Sequence, residues 1–168
     1  MAEQVTLVEG KKRRTRVEVF VFNKSRQLLC YMYPRSGMPR LPELPGGGVD
    51  EGETPITAAM REVAEESGWR AKEFTPITVK TPSVYTDIAN NWYVKDMWDE
   101  EEHIAVLAQA IAFLPDIRYG SENDGNKYVL TPVDLVIKET KLVLSKKVDS
   151  RTDFIGNWRL AVFDRLLK

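Results

Sequence analysis

One histidine and one cysteine in 168 residues remove most of the familiar catalytic centres. A Ser-His-Asp or Cys-His site would have to be built on His103, and a multi-histidine metal or nucleotidyl-transfer site is impossible. Cys30 has no partner for an internal disulfide, and the N-terminus lacks the apolar core of a secretion signal, so the expected compartment is a reducing cytoplasm. No apolar run approaches the ~20 residues that span a bilayer. Net charge is also missing: 24 Lys and Arg against 25 Asp and Glu leave −1, and an anionic substrate must be attracted locally. Internal repeats, low-complexity tracts and linkers are absent too. What remains is an ordinary globular composition, 43% hydrophobic and 29% charged, expected to form one domain over residues 1–168. Carboxylates are left to carry the chemistry.

They concentrate in the stretch 47–69, GGVDEGETPITAAMREVAEESGW. Thr54 reads as an N-cap with Pro55 at the first helical position, and Gly68 as the C-terminal stop. On a helix between them Glu62, Glu65 and Glu66 share one face, while Ile56, Ala59, Met60 and Val63 fall on another arc that would pack on a core. Like charges at this spacing repel by roughly 0.2–0.5 kcal/mol per pair, so something should compensate. Arg61 can neutralise one acid, and Glu53 is its expected partner. Three hard oxygen donors suit Mg²⁺ or Mn²⁺. Upstream, Gly46, Gly47 and Gly48 let a backbone carbonyl reach a metal and an amide reach phosphate.

This segment resembles the Nudix box: Gly, five residues, Glu, seven residues, then Arg-Glu-apolar-any-Glu-Glu-any-Gly-apolar. Gly47, Glu53, Arg61, Glu62, Val63, Glu65, Glu66, Gly68 and Trp69 each stand where the pattern asks, and Glu43-Leu44-Pro45-Gly46-Gly47 matches the usual lead-in. The resemblance implies a Nudix-like α/β/α sandwich with a mixed β-sheet. It also implies Glu65 and Glu66 as principal metal ligands, assisted by the Gly47 carbonyl, with Glu62 as a ligand or general base and Arg61 orienting the acids through Glu53. A further carboxylate from the loop before Tyr128 often joins such sites; Glu122 matches best and Asp124 is the alternate.

Elsewhere, 1–10 reads as a loose lead-in or short edge strand, and Lys11–Arg16 as a basic cluster that either enters a strand in solvent or faces phosphate or a partner. Residues 16–22 and 27–33 flank the turn 23–26 as a hairpin. Arg35 and Arg40, in a proline-bearing loop, could grip a phosphate. After the box come short strands at 74–80 and 83–86, then an irregular stretch, 87–102, ending in the acids Asp99 to Glu102. Its Trp92, Tyr93 and Trp98 either stack on a base or cover the core. Residues 103–113 read as a buried strand with His103 as a structural or surface residue, Thr131-Pro132 as a second helix start, and 153–167 as a closing helix.

The function expected is metal-assisted hydrolysis of a phosphoanhydride in a nucleoside diphosphate linked to another group, leaning to a small free nucleotide such as a (deoxy)nucleoside triphosphate or an ADP-ribose-type molecule. The partner is thus a nucleotide, with no membrane, nucleic acid not favoured, and a monomer or homodimer. The rival is a non-catalytic nucleotide-sensing or RNA-associated Nudix-like module using the basic cluster at 11–16.

Overall fold

In the computed structural model, which describes residues 4–34, 36–88, 98–115 and 127–168, a mixed sheet lies between helices. The strands are β1 (Val5–Val8), β2 (Lys11–Phe22), β3 (Gln27–Cys30), β4 (Gly46–Gly48), β5 (Trp69–Ile77), β6 (Val84–Tyr85), β7 (Glu100–Phe113) and β8 (Val129–Pro132). The helices are α1 (Pro55–Glu62), α2 (Val133–Ser145) and α3 (Ser150–Leu166). The sheet runs β5-β7-β2-β3-β8, with β1 and β4 also on β2 and β6 on β7. Strands β2 and β7 are parallel, and the other pairings are antiparallel.

Alternation along β2 builds both layers. Val17, Val19 and Val21 point to one face, where they pack with Ala58, Ala59 and Val63 of the α1 region. Phe20 points to the other, against Val133, Val136, Trp158, Val162 and Phe163 of α2 and α3. Burial on both faces explains the near-continuous apolar run. On this α3 face the even positions before Phe20 are Arg14, Arg16 and Glu18, a polar strip under a helix that itself supplies Arg151 and Arg159.

Several expectations change. The helix opens as read, with Thr54 accepting from Thr57 N and Pro55 in the first turn, but α1 stops at Glu62 and Val63–Ser67 form a π turn before Gly68, whose φ of 71° closes it. The buried stripe is Ala58, Ala59, Glu62 and Val63, one position round from the expected arc, so Met60 faces solvent. The acids Glu100 to Glu102 begin strand β7 instead of closing a loop. They pair in register with the basic cluster, Arg13 beside Glu100 and Arg14 beside Glu101, and this opposite-charge ladder supplies what neither run has alone. Trp98 is buried under the Arg14 guanidinium, 4.4 Å from the ring centroid, so it covers the core. Thr131 and Pro132 end strand β8, and α2 starts without a side-chain cap. The strand after the box opens at Trp69, not Phe74.

Candidate active site

Arg61 is the centre of the box. Its Nε and Nη2 donate to Glu53 at 2.8 and 2.9 Å, Nη2 also reaches the Gly48 carbonyl at 3.0 Å, and Nη1 is shared by Glu62 at 2.9 Å and Glu65 at 3.1 Å. Asp50 stands 3.5 Å from Nη2. One guanidinium therefore binds several acids rather than the single one expected, which answers the repulsion along the helix. The hydrogen bonds to Glu53 are the first cause that holds the Arg61 proton more tightly than usual, and they hold the Glu53 carboxyl low.

Gly47 is required by contact rather than by turn geometry. A Cβ there would meet Glu62 Oε1 at 2.3 Å, so the carboxylate lies directly against strand β4. Burial, and next the charge of Glu66, push the Glu62 carboxyl up to about 8.

The π turn separates the acids. Glu65 continues on the Arg61 side, whereas Glu66 turns toward the sheet and accepts from the Tyr128 hydroxyl at 3.0 Å. Burial raises the Glu66 carboxyl as well. The same Tyr128 hydroxyl lies 2.7 Å from Glu43, which also accepts from Tyr33 and from Lys127. These donors outweigh burial and hold Glu43 low.

Beside Glu66 opens a cavity of about 720 Å³ between β2, the 38–46 segment and the start of α3, lined among others by Arg16, Glu18, Glu43, Arg151 and Arg159. Arg40 is at its rim with its guanidinium 4.1 Å over the Tyr33 ring. Arg159 forms a buried fork with Glu18, two bonds of 2.8 Å, and donates to the Pro42 carbonyl, fixing the loop that leads into the box.

The structure thus gathers Glu53, Glu62 and Glu65 around Arg61, sets Gly47 against Glu62 and places Glu66 on the cavity side. Arg35, Trp92, Tyr93, Glu122 and Asp124 lie outside the described residues. Arg16 was read only as part of the basic cluster at 11–16, and Glu18, Arg151 and Arg159 were not read from the sequence. The charges at even positions of a β-rich run were a usable signal for the first two; nothing local marks the others.

Among the described residues no three His, Cys, Asp or Glu side chains converge closely enough to hold a metal as they stand. The donor chemistry nevertheless fits a divalent cation: Glu62, Glu65 and Glu66 are hard oxygen donors, and Glu62 and Glu66 are driven toward protonation by burial. No helix among the described residues is long and apolar enough to cross a membrane.

A family model described as NUDIX domain matches residues 12–147. "Nudix hydrolase 26, chloroplastic" of Arabidopsis thaliana is 29% identical over 116 residues, 59% of this chain and 52% of that protein. An "RNA pyrophosphohydrolase" of Bartonella quintana is 43% identical over 61 residues, 33% of this chain and 35% of that one. The chain thus spans about half of the former's length and about a third of the latter's. Among solved structures, a NUDIX hydrolase from Nitrosomonas europaea superposes with a TM-score of 0.56 at 18% identity, covering 77% of this chain and 79% of that one, a likeness of fold.

Proposed function

The chain belongs to the Nudix family, and from this we propose that it is a pyrophosphohydrolase acting on the phosphoanhydride of a small free nucleotide, a (deoxy)nucleoside triphosphate or an ADP-ribose-type molecule. The observation that carries the reading is the Arg61 clamp: the charged positions Glu53, Glu62 and Glu65 of the box meet on a single guanidinium, with the Gly48 carbonyl as a further acceptor. A solvated acidic helix has no need of that arrangement.

Glu62, Glu65 and Glu66, with the Gly47 carbonyl, would hold Mg²⁺ or Mn²⁺, and Glu122 is the further candidate. Such an ion, when bound, neutralises phosphate charge and makes water a better nucleophile. The chain's own residues do the positioning. Arg61 fixes Glu62 and Glu65, and Tyr128 orients Glu66. Water adds its oxygen to phosphorus as the bridging P–O bond breaks, the bridging oxygen leaves with the other phosphate, and a carboxylate takes the water proton. Glu62 is the proposed acceptor of that proton, with Glu122 as the alternative.

The cavity volume suits one nucleotide. A second substrate of the same chemistry, the 5′-triphosphate end of RNA, is favoured by the name of the Bartonella relative. The non-catalytic alternative has less support at Arg13 and Arg14, which are engaged with Glu100, Glu101 and Glu102.

The test is a panel of nucleoside triphosphates, ADP-ribose, NADH, dinucleoside polyphosphates, capped RNA and 5′-triphosphorylated RNA, with and without Mg²⁺ or Mn²⁺, and mass-resolved products. Metal-dependent cleavage of an anhydride supports the reading. Tight binding without turnover of any member would replace it with the sensing module.

A further inference from the structure

The cavity beside Glu66 has an accounting that does not close. Its lining holds the acids Glu18, Glu43, Glu66 and Asp149 and the cations Arg16, Arg40, Arg151 and Arg159. Glu18 is taken in both oxygens by Arg159. Glu43 is held by Tyr33, Tyr128 and Lys127. Asp149 caps α3 through Thr152 N at 2.7 Å. Arg151 spends Nε and Nη2 on Glu101, which lies behind the cavity wall. Arg40 stacks on Tyr33.

Arg16 is what remains. The residue lines the cavity, and its Nε, shut off from solvent, has no hydrogen-bond partner among the described residues. A desolvated guanidinium donor without an acceptor is costly and asks for an explanation. Burial first, and then the charge of Arg14, weaken its hold on its proton, and the nearby charges of Glu101 and Glu18 do not offset them. Its backbone is fixed from both sides, opposite Gly48 of β4 and His103 of β7, so the side chain is delivered from a rigid ladder. Glu66 stands close enough to feel its charge.

We propose that Arg16 is the phosphate receptor of this cavity, a specificity-determining residue that binds the polyphosphate chain of a nucleoside 5′-polyphosphate beside Glu66. The guanidinium fork matches two phosphate oxygens, and a phosphate there is the acceptor that no neighbouring side chain provides. The inference rests on the hydrolase reading and names the side of the box from which substrate enters: from between the 38–46 segment and α3. It concerns recognition of the 5′-polyphosphate, whether free or at the end of an RNA.

The test compares wild type with Arg16→Met, which keeps length and loses charge, and Arg16→Lys, which keeps charge and loses the fork. Calorimetry measures binding of a non-hydrolysable nucleoside triphosphate analogue and of a short 5′-triphosphorylated RNA, with the nucleoside 5′-monophosphate as control, and steady-state kinetics follows hydrolysis. Arg16→Met should weaken triphosphate binding and raise KM by about tenfold or more, with kcat changed far less and thermal unfolding no earlier than in wild type. Arg16→Lys should fall between. Whichever triphosphate loses affinity identifies the source. If wild type hydrolyses nucleotides and both variants keep KM and affinity within about twofold, Arg16 is structural and the proposal fails alone. A merely structural role would lower the unfolding temperature without moving KM. If wild type neither binds nor cleaves any triphosphate, the hydrolase reading falls and this one with it.

Discussion

The hydroxyl of Tyr128 lies 3.0 Å from Glu66 and 2.7 Å from Glu43, so one proton bridges two carboxylates brought from separate segments of the chain. Burial, and next the charge of Glu66, drive the tyrosine proton strongly toward retention, and the group acts as a donor at every working pH. Tyr128→Phe removes the donor and leaves both acids in place. It should cost about 1–3 kcal/mol of stability, measured by urea unfolding, and lower kcat because Glu66 loses its orientation. A variant with wild-type kcat would show that the hydroxyl does not position Glu66.

Arg61→Lys tests the clamp. An ammonium cannot reproduce the two parallel bonds to Glu53 while also reaching Glu62 and Glu65. The metal concentration giving half-maximal activity should rise by about 10- to 100-fold. Titration with Mg²⁺ at fixed substrate checks this, and an unchanged midpoint would remove Arg61 from the metal-holding role.

Gly47→Ala should be harmful for a reason unrelated to backbone freedom. The new methyl would meet Glu62 Oε1 at 2.3 Å and must displace the carboxylate. Overpacking of this kind costs about 1–3 kcal/mol, and turnover should fall by more than the loss of folded protein accounts for. Circular dichroism and kcat measured on the same sample separate the two effects.

Legibility differed by element for physical reasons. The box could be read because fixed spacing on a helix and its flanking turn fixes which side chains are near each other. The Arg61–Glu53 pairing followed from that alone. The π turn could not be read, since the same letters at the same spacing fit an unbroken α-helix; within it Glu65 keeps its i,i+4 relation to Arg61 while Glu66 reaches Tyr128. Taken singly, the basic run reads as a solvated strand entry or a phosphate- or partner-facing patch, and the acidic run as the end of an irregular stretch. Arg13 and Glu100 are 87 positions apart, and only the parallel β2–β7 register makes each the answer to the other. Glu18 and Arg159, 141 positions apart, are the same case on the cavity wall. Local pattern reports faces and turns, whereas a cavity assembled from distant strands and a closing helix appears only once topology is known.

That Glu18–Arg159 fork gives a pH dependence. Burial on its own would raise the Glu18 carboxyl, but the Arg159 charge and hydrogen bonds win and bring it down to about 2, from 4.5 ordinarily. A carboxyl depressed on folding contributes stability that is complete above the unfolded value and is lost as the pH falls through the folded one. Wild-type stability should therefore drop between pH 4.5 and about 2, and Glu18→Gln should show a shallower acid limb while losing about 3–5 kcal/mol at neutral pH, because Arg159 is left buried without its partner. Urea unfolding across that window checks both. Parallel acid limbs would show that the pair is not linked to folding.

The central claim is that the box carboxylates perform hydrolysis, and Glu66→Gln addresses it most directly. The substitution keeps shape and an acceptor for Tyr128 while removing the charge. With the substrate that wild type cleaves best and saturating Mg²⁺, kcat should fall by about 100-fold or more, with unfolding unchanged within about 1 kcal/mol. A folded Glu66→Gln protein that turns over at the wild-type rate would contradict the account.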